Sequence, residues 1–184
     1  HEEHDHGEYD PHVWLDFENN QRIIDELAHV LAEQDPANTA VYQDNAEQYK
    51  QQLAQLDKRY REALSTCQKD TIIVGGHNFM GYVAEAYGIE VVSAIESLSP
   101  DSEPTPRRIQ EIAEHAQEHD TQYILSEVLV SQQFADAIAQ EVGAQVLAFN
   151  PAANIAQEDI DSQVSFIEIM DKNLETLKVA LECE

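Results

Sequence analysis

From residue 71 onward the chain alternates short, β-rich runs with amphipathic segments, and that alternation restricts the fold more than any other feature of the sequence. The runs are TIIVGG (71–76), IEVVSAI (89–95), QYILSE (122–127) and AQVLAFN (144–150). Helical patterns lie between them near 78–87, 105–118 and 131–142, and a last one near 159–181. Strands alternating with helices of this length read as βα units, whose sheet is covered on both faces. The expected fold class is α/β, a parallel four-stranded sheet flanked by helices. Gly88 and Gly143, each just ahead of a strand, suit helix C-caps, and Pro104 and Pro106 punctuate the start of the third helical segment.

Ahead of this part the periodicity is helical throughout. Asp16 is placed to cap a helix that carries Ile23, Ile24, Leu27, Val30 and Leu31 on one stripe and stops at Asp35-Pro36. The same dipeptide suits the start of the next helix, because Asp caps and Pro at the first position loses no needed N–H. From there Tyr42, Ala46, Tyr49, Leu53, Leu56, Tyr60 and Leu64 recur at steps of three or four. A backbone helix of roughly 28 residues, about 40 Å long, is expected to precede the sheet.

Charge narrows the function classes. The 184 residues hold 36 Asp and Glu against 10 Lys and Arg, a formal net charge of −26. Such an excess repels phosphate, which opposes binding to nucleic acid or to an anionic membrane surface and makes cations the natural partners. A solubility adaptation to high salt is an accompanying reading. No apolar run approaches the roughly 20 residues of a membrane span. Cys67 and Cys183 are too far apart for a CxxC motif, which leaves a long-range disulfide in an exported protein or two unrelated thiols.

In an open parallel sheet, ligands bind beyond the carboxyl ends of the strands. The first strand delivers His77 there, the third Glu127 and the fourth Asn150, while the second leads into Glu96, Ser97 and, further on, Glu103. One rim thus gathers an imidazole, carboxylates and amide oxygens, a donor set suited to a divalent cation such as zinc. Each residue also has a plainer reading: His77 as a cap or hydrogen-bonded core residue, Glu127 as a helix cap, Asn150 before Pro151 as a turn pair. His115 and His119 have the i, i+4 spacing of a surface zinc pair, but they lie among Glu111, Glu114 and Glu118 and read as part of a solvated face.

The chain opens HEEHDHGEYDPHVWLD. His1, His4 and His6 alternate with carboxylates, unlike an unbroken expression tag, and such a tract binds divalent metal without a fixed structure. An expression remnant is the plainer alternative. His12 differs in kind, because the apolar run Val13, Trp14, Leu15 beside it implies a buried, fixed backbone.

DPHVWLD, DPANTAVYQDNAEQY, VGGHNFMGYVAEAYG, SPDSEPTPRRIQEI and YILSEVLVS, in that order, resemble the solute-binding receptors of bacterial zinc and manganese ABC importers, with a helical backbone between two lobes. The resemblance covers the chain from Asp10 onward. It implies an extracytoplasmic, monomeric receptor, not an enzyme, that holds its ion between the lobes and hands it to a membrane permease. It implies a His- and acid-rich mobile loop at 1–9, in which His1, His4 and His6 collect metal. A remnant of the N-terminal lobe follows at 10–35, a long linking helix at 36–66 and a C-terminal α/β lobe at 67–184; most of the N-terminal lobe, with a further histidine ligand, is missing.

By position, the resemblance places the metal ligands at His12 and His77. Manganese-preferring relatives commonly carry glutamate at the second position, so His77 favours Zn2+ over Mn2+. Many members place an aspartate ligand after the fourth strand, where this chain has Asn150; water or a nearby carboxylate is expected in its place, and Glu127 is expected to orient His77. Two rival classes are a zinc hydrolase using Glu127 or Glu103 as base and an acidic interaction module without a metal role. The first lacks HExxH and GxSxG signatures. Cys67 and Cys183 would be bridged if the last helix returns beside the first strand.

Overall fold

The structure is a computed structural model that describes residues 9–95 and 103–184. Asp16 has an extended backbone, and its carboxylate accepts the N–H groups of Glu18 and Asn19, which starts helix α1 (Phe17–Gln34). At Asp35 the chain turns through a short 3-10 segment, Pro36–Asn38, before α2 (Thr39–Leu64) begins. The expected direct start of the long helix at Pro36 is therefore corrected. The Asp35 carboxylate is taken by Asn38 Nδ2 at 2.7 Å and the Tyr42 hydroxyl at 2.8 Å instead of by helix N–H groups. What remains is a helix of 26 residues, about 39 Å at the α-helical rise.

Helices α1 and α2 pack together as a hairpin, and Lys50 on α2 reaches Asp25 on α1 at 2.6 Å. The apolar stripe expected on α1 is not buried: Ile23, Leu27, Val30 and Leu31 are exposed, and only Ile24 is partly covered. Periodicity created an apolar face, but only Ile24 and the buried Ala28 of α1 are covered against α2, while Leu27 and Leu31 line an open groove with Tyr42, Ala46 and Tyr49 and stay exposed. On α2, burial is confined to Leu53, Leu56 and Tyr60 in its second half, where α7 (Phe166–Ala180) packs across it.

The four expected strands are present: β1 (Thr71–His77), β2 (Glu90–Ile95), β3 (Tyr123–Glu127) and β4 (Gln145–Phe149). All neighbours are parallel, in the order β2-β1-β3-β4. Side-chain alternation splits the core into two layers. Ile72, Val74 and Leu125 join Leu53, Leu56, Tyr60, Met170 and Leu174 on one face. Ile73 and Ile124 meet Ile112 of α4 (Pro106–Glu118) and Ala135 and Ile138 of α5 (Gln133–Val142) on the other. The approach of α5 is close enough that a side chain at Gly75 would collide with the backbone of Ala135.

Gly88 ends α3 (Gly81–Tyr87) and Gly143 ends α5, both in the left-handed region at φ 70° and 73°. Thr105 caps α4, with Pro106 in its first turn. The single last helix expected near 159–181 is two, α6 (Gln157–Asp161) and α7. Gln163 takes a positive φ of 54°, and Ser165 with Glu168 forms a capping box that starts α7 afresh. Helix α7 does return beside β1: Lys69 N–H donates to Leu181 O at 3.0 Å, and Cys67 is bonded to Cys183.

Candidate metal-binding rim

The strand order reverses between β1 and β3, so the crevice at their carboxyl ends is the switch point at which α/β sheets open to ligands. His77 is the last residue of β1 and Glu127 the last of β3. Both are buried, at 4% and 8% exposure. His12 arrives from the other part of the chain. It precedes the 3-10 turn Val13–Leu15, whose Leu15 is buried in the core together with Phe17. Trp14 Nε1–H donates to Pro151 O at 2.7 Å, which fastens this turn to the exit of β4.

The two imidazoles face each other. Their centroids are 5.4 Å apart with planes 35° from parallel, and His12 is 6% exposed. Trp14 lies edge-on to His12 at 5.6 Å, and Phe79 edge-on to His77 at 5.7 Å, so aromatic walls flank the pair. Each ring has a carboxylate at Nδ1. Asp10 Oδ1 is 2.7 Å from His12 Nδ1, and Glu127 Oε2 is 3.5 Å from His77 Nδ1. Glu127 Oε2 is buried and has no hydrogen-bond partner among the described residues.

Burial pulls the His77 pKa below the ordinary histidine value, and the neighbouring His12 adds to that, with Asp10 opposing. Burial pushes the Glu127 carboxyl upward. A depressed imidazole is neutral near pH 7 and keeps a lone pair for a cation.

Asn150 Oδ1 accepts from Ala152 N–H at 2.9 Å, and its backbone is clasped by Asn173, whose Oδ1 accepts from Asn150 N and whose Nδ2 donates to Asn150 O. This is the geometry of a turn at the exit of β4. Glu103 is exposed on the approach to α4. His115 and His119 stack at 4.3 Å near the carboxyl end of α4; Lys69, just before β1, donates to His119 O, so the pair lies toward the amino ends of the strands, away from His77 at the carboxyl end of β1. His1, His4 and His6, like Glu96 and Ser97, fall outside the described residues. Among the described residues, no group of three or more His, Cys, Asp or Glu is arranged to hold a metal ion. Asp10 escaped the sequence reading. Its signal was the two-residue spacing to His12, the reach at which an Asp side chain meets a following backbone N–H, here at 2.9 Å.

Comparison with known proteins shows the family. The family model described as ZnuA, zinc-uptake complex component A, periplasmic, matches residues 1–180. The high-affinity zinc uptake system protein ZnuA of Bacillus subtilis is 36% identical over 172 residues, 94% of this chain and 53% of the relative. The zinc-binding lipoprotein AdcA of Streptococcus pneumoniae is 32% identical over 188 residues, 99% of this chain and 37% of the relative. The chain thus spans about half, or less, of the curated relatives it matches. Among solved structures, the metal-dependent lipoprotein YcdH of Bacillus subtilis superposes with a TM-score of 0.81 at 34% identity, covering 94% of this chain and 64% of that one. The Zn(II)-bound ZnuA-like domain of Streptococcus pneumoniae AdcA gives 0.79 at 31%, covering 95% and 64%. A rim with two facing, carboxylate-backed imidazoles on a doubly covered parallel sheet and a family match across nearly its whole length lead to one assignment: the chain belongs to the ZnuA family of periplasmic zinc-uptake components.

Proposed function

We propose that this chain is the zinc-holding part of a receptor that binds the ion reversibly outside the cytoplasm and delivers it to an ABC-type importer. The observation that supports this most is the 5.4 Å separation of the His12 and His77 rings. With Zn–N bonds of about 2.0–2.1 Å, two imidazoles on one tetrahedral zinc bring their ring centres to about 5 Å. The Asp10 carboxylate bonded at Nδ1 leaves Nε2 of His12 as the nitrogen for the ion, and the Glu127 carboxylate lies 3.5 Å from Nδ1 of His77, within reach of orienting that ring. Nitrogen donors favour zinc over manganese. The disulfide fits an oxidising compartment.

In this reading, residues 1–9 are a metal-collecting loop, 10–35 belong to an N-terminal lobe, 36–66 link the lobes and 67–184 form the C-terminal lobe. A further ligand comes from the rest of the N-terminal lobe, which also covers the exposed stripe of α1. Glu127 positions His77, the receptor is a monomer, and the importer permease is its partner. Binding without covalent chemistry suits a rim in which Glu127 sits behind a histidine ring and Glu103 is turned to solvent.

Calorimetry with zinc and manganese tests this on the chain itself. Zinc is expected to bind more tightly. His12→Ala and His77→Ala should each weaken zinc binding by more than the about 10–100-fold associated with loss of a ligand's outer partner, with His115→Ala unchanged. Protons compete for the same nitrogens, so affinity falls as pH drops through the histidine range. Because the His77 pKa is lowered, its share of that loss sets in below 6.5. Unchanged zinc binding in both rim variants would overturn the proposal.

A further inference from the structure

We infer that Asp10 is the residue that positions His12 for a cation, and that Gly81 is a glycine in order to seat Asp10. The inference rests on the metal-receptor reading and deepens it.

One oxygen of Asp10, Oδ1, accepts from two donors of the same histidine, the backbone N–H at 2.9 Å and ring Nδ1 at 2.7 Å. Two bonds to one atom fix the ring relative to its own backbone. A carboxylate only accepts, so Nδ1 carries the proton and the lone pair sits on Nε2. An untethered neutral imidazole populates both tautomers, and a ring in the wrong one presents N–H to the cation.

The other oxygen faces α3. A Cβ built on Gly81 would lie 2.5 Å from Asp10 Oδ2, closer than real Cβ contacts come. Gly81 opens α3 with an ordinary helical backbone; the positive-φ glycines are Gly88 and Gly143 among the described residues. Conformation therefore does not require glycine at 81, and helix propensity disfavours it by up to about 1 kcal/mol relative to alanine. Space for the carboxylate is what the missing side chain provides. Gly81 also follows His77 in the segment HNFMG, so the seat joins the two stretches of chain that bear the histidines. Asp10 thus sets the tautomer of one ring and the distance to the other.

The test combines a metal-free and a metal-bound measurement on the chain as it stands. Nitrogen-15 NMR of the histidine rings without metal should show His12 as the Nδ1–H tautomer. Asp10→Ala and Gly81→Ala should both shift it to a mixture, with zinc affinity about 10–100-fold lower and the thermal midpoint of Gly81→Ala not reduced. Asp10→Asn keeps an acceptor oxygen and should restore part of the Nδ1–H population lost in Asp10→Ala. An unchanged His12 tautomer in both alanine variants would overturn the inference, as would an affinity loss with the tautomer intact, which marks a merely structural role. A parent chain that fails to bind zinc would overturn the receptor reading instead, because the tautomer is read without metal.

Discussion

Helices α1 and α4 carry the same kind of apolar stripe, yet only one of the two stripes is covered. On α4, Ile112, Ala113 and Ala116 are buried against the sheet layer and α5. On α1, Leu27 is 55% exposed, and Ile23, Val30 and Leu31 stand beside it in solvent. Both helices satisfy the same periodicity, and both are properly capped, by Thr105 and by Asp16. The difference lies in what the surrounding chain offers. In the α/β part each strand brings side chains to two faces, so any helix laid on the sheet is covered. The α1–α2 hairpin has no sheet beneath it, and the stripe of α1 borders open grooves, Leu27 and Leu31 beside Tyr42 and Tyr49 of α2 and Ile23 beside Trp14 and Phe166, without being covered. Periodicity thus reports that a face seeks apolar company, not that this stretch of chain supplies it, and a cluster of large exposed apolar residues marks an interaction surface.

Cys67 and Cys183 close a loop of sequence separation 116 that encloses the whole sheet. On the chain-entropy model its reduction should lower stability by about 4–5 kcal/mol. Denaturant titration with and without reductant reads this directly, and equal midpoints would show that the bond does not clamp the α/β part. Leu125→Ala, in the sheet core, should cost about 2–5 kcal/mol by leaving a cavity. Removing the Ser165 cap of α7 by Ser165→Ala should cost about 1 kcal/mol. Leu27→Ala on the open stripe should stay within about 0.5 kcal/mol of the parent. If Leu27→Ala matched Leu125→Ala, the stripe would be packed in solution and the contrast between the two regions would vanish.

Much of the fold was legible because the four strands are nearly continuous apolar runs between turn signals; β1, β2, β3 and β4 each fall within one residue of their expected spans. The glycine caps at 88 and 143 followed from position alone. The break between α6 and α7 was missed because a non-glycine residue, Gln163, takes the left-handed conformation there. Its one visible signal was the Ser165–Glu168 spacing of a capping box. At the rim, strand ends identified His77 and Glu127, whereas the approach of His12 to His77 came from the family resemblance, since nothing in spacing links residues so far apart. Asp10 and Gly81 stayed hidden because their relation is a fit of one carboxylate into the space of one absent Cβ, which pattern and propensity do not encode.

Anomalous diffraction at the zinc edge, from crystals of this chain grown with one equivalent of zinc, is the most direct test that His12 and His77 share an ion. The account predicts one peak at about 2.0–2.1 Å from a ring nitrogen of both histidines. A peak held by only one of the two rings, or found solely at His115 and His119, would contradict it.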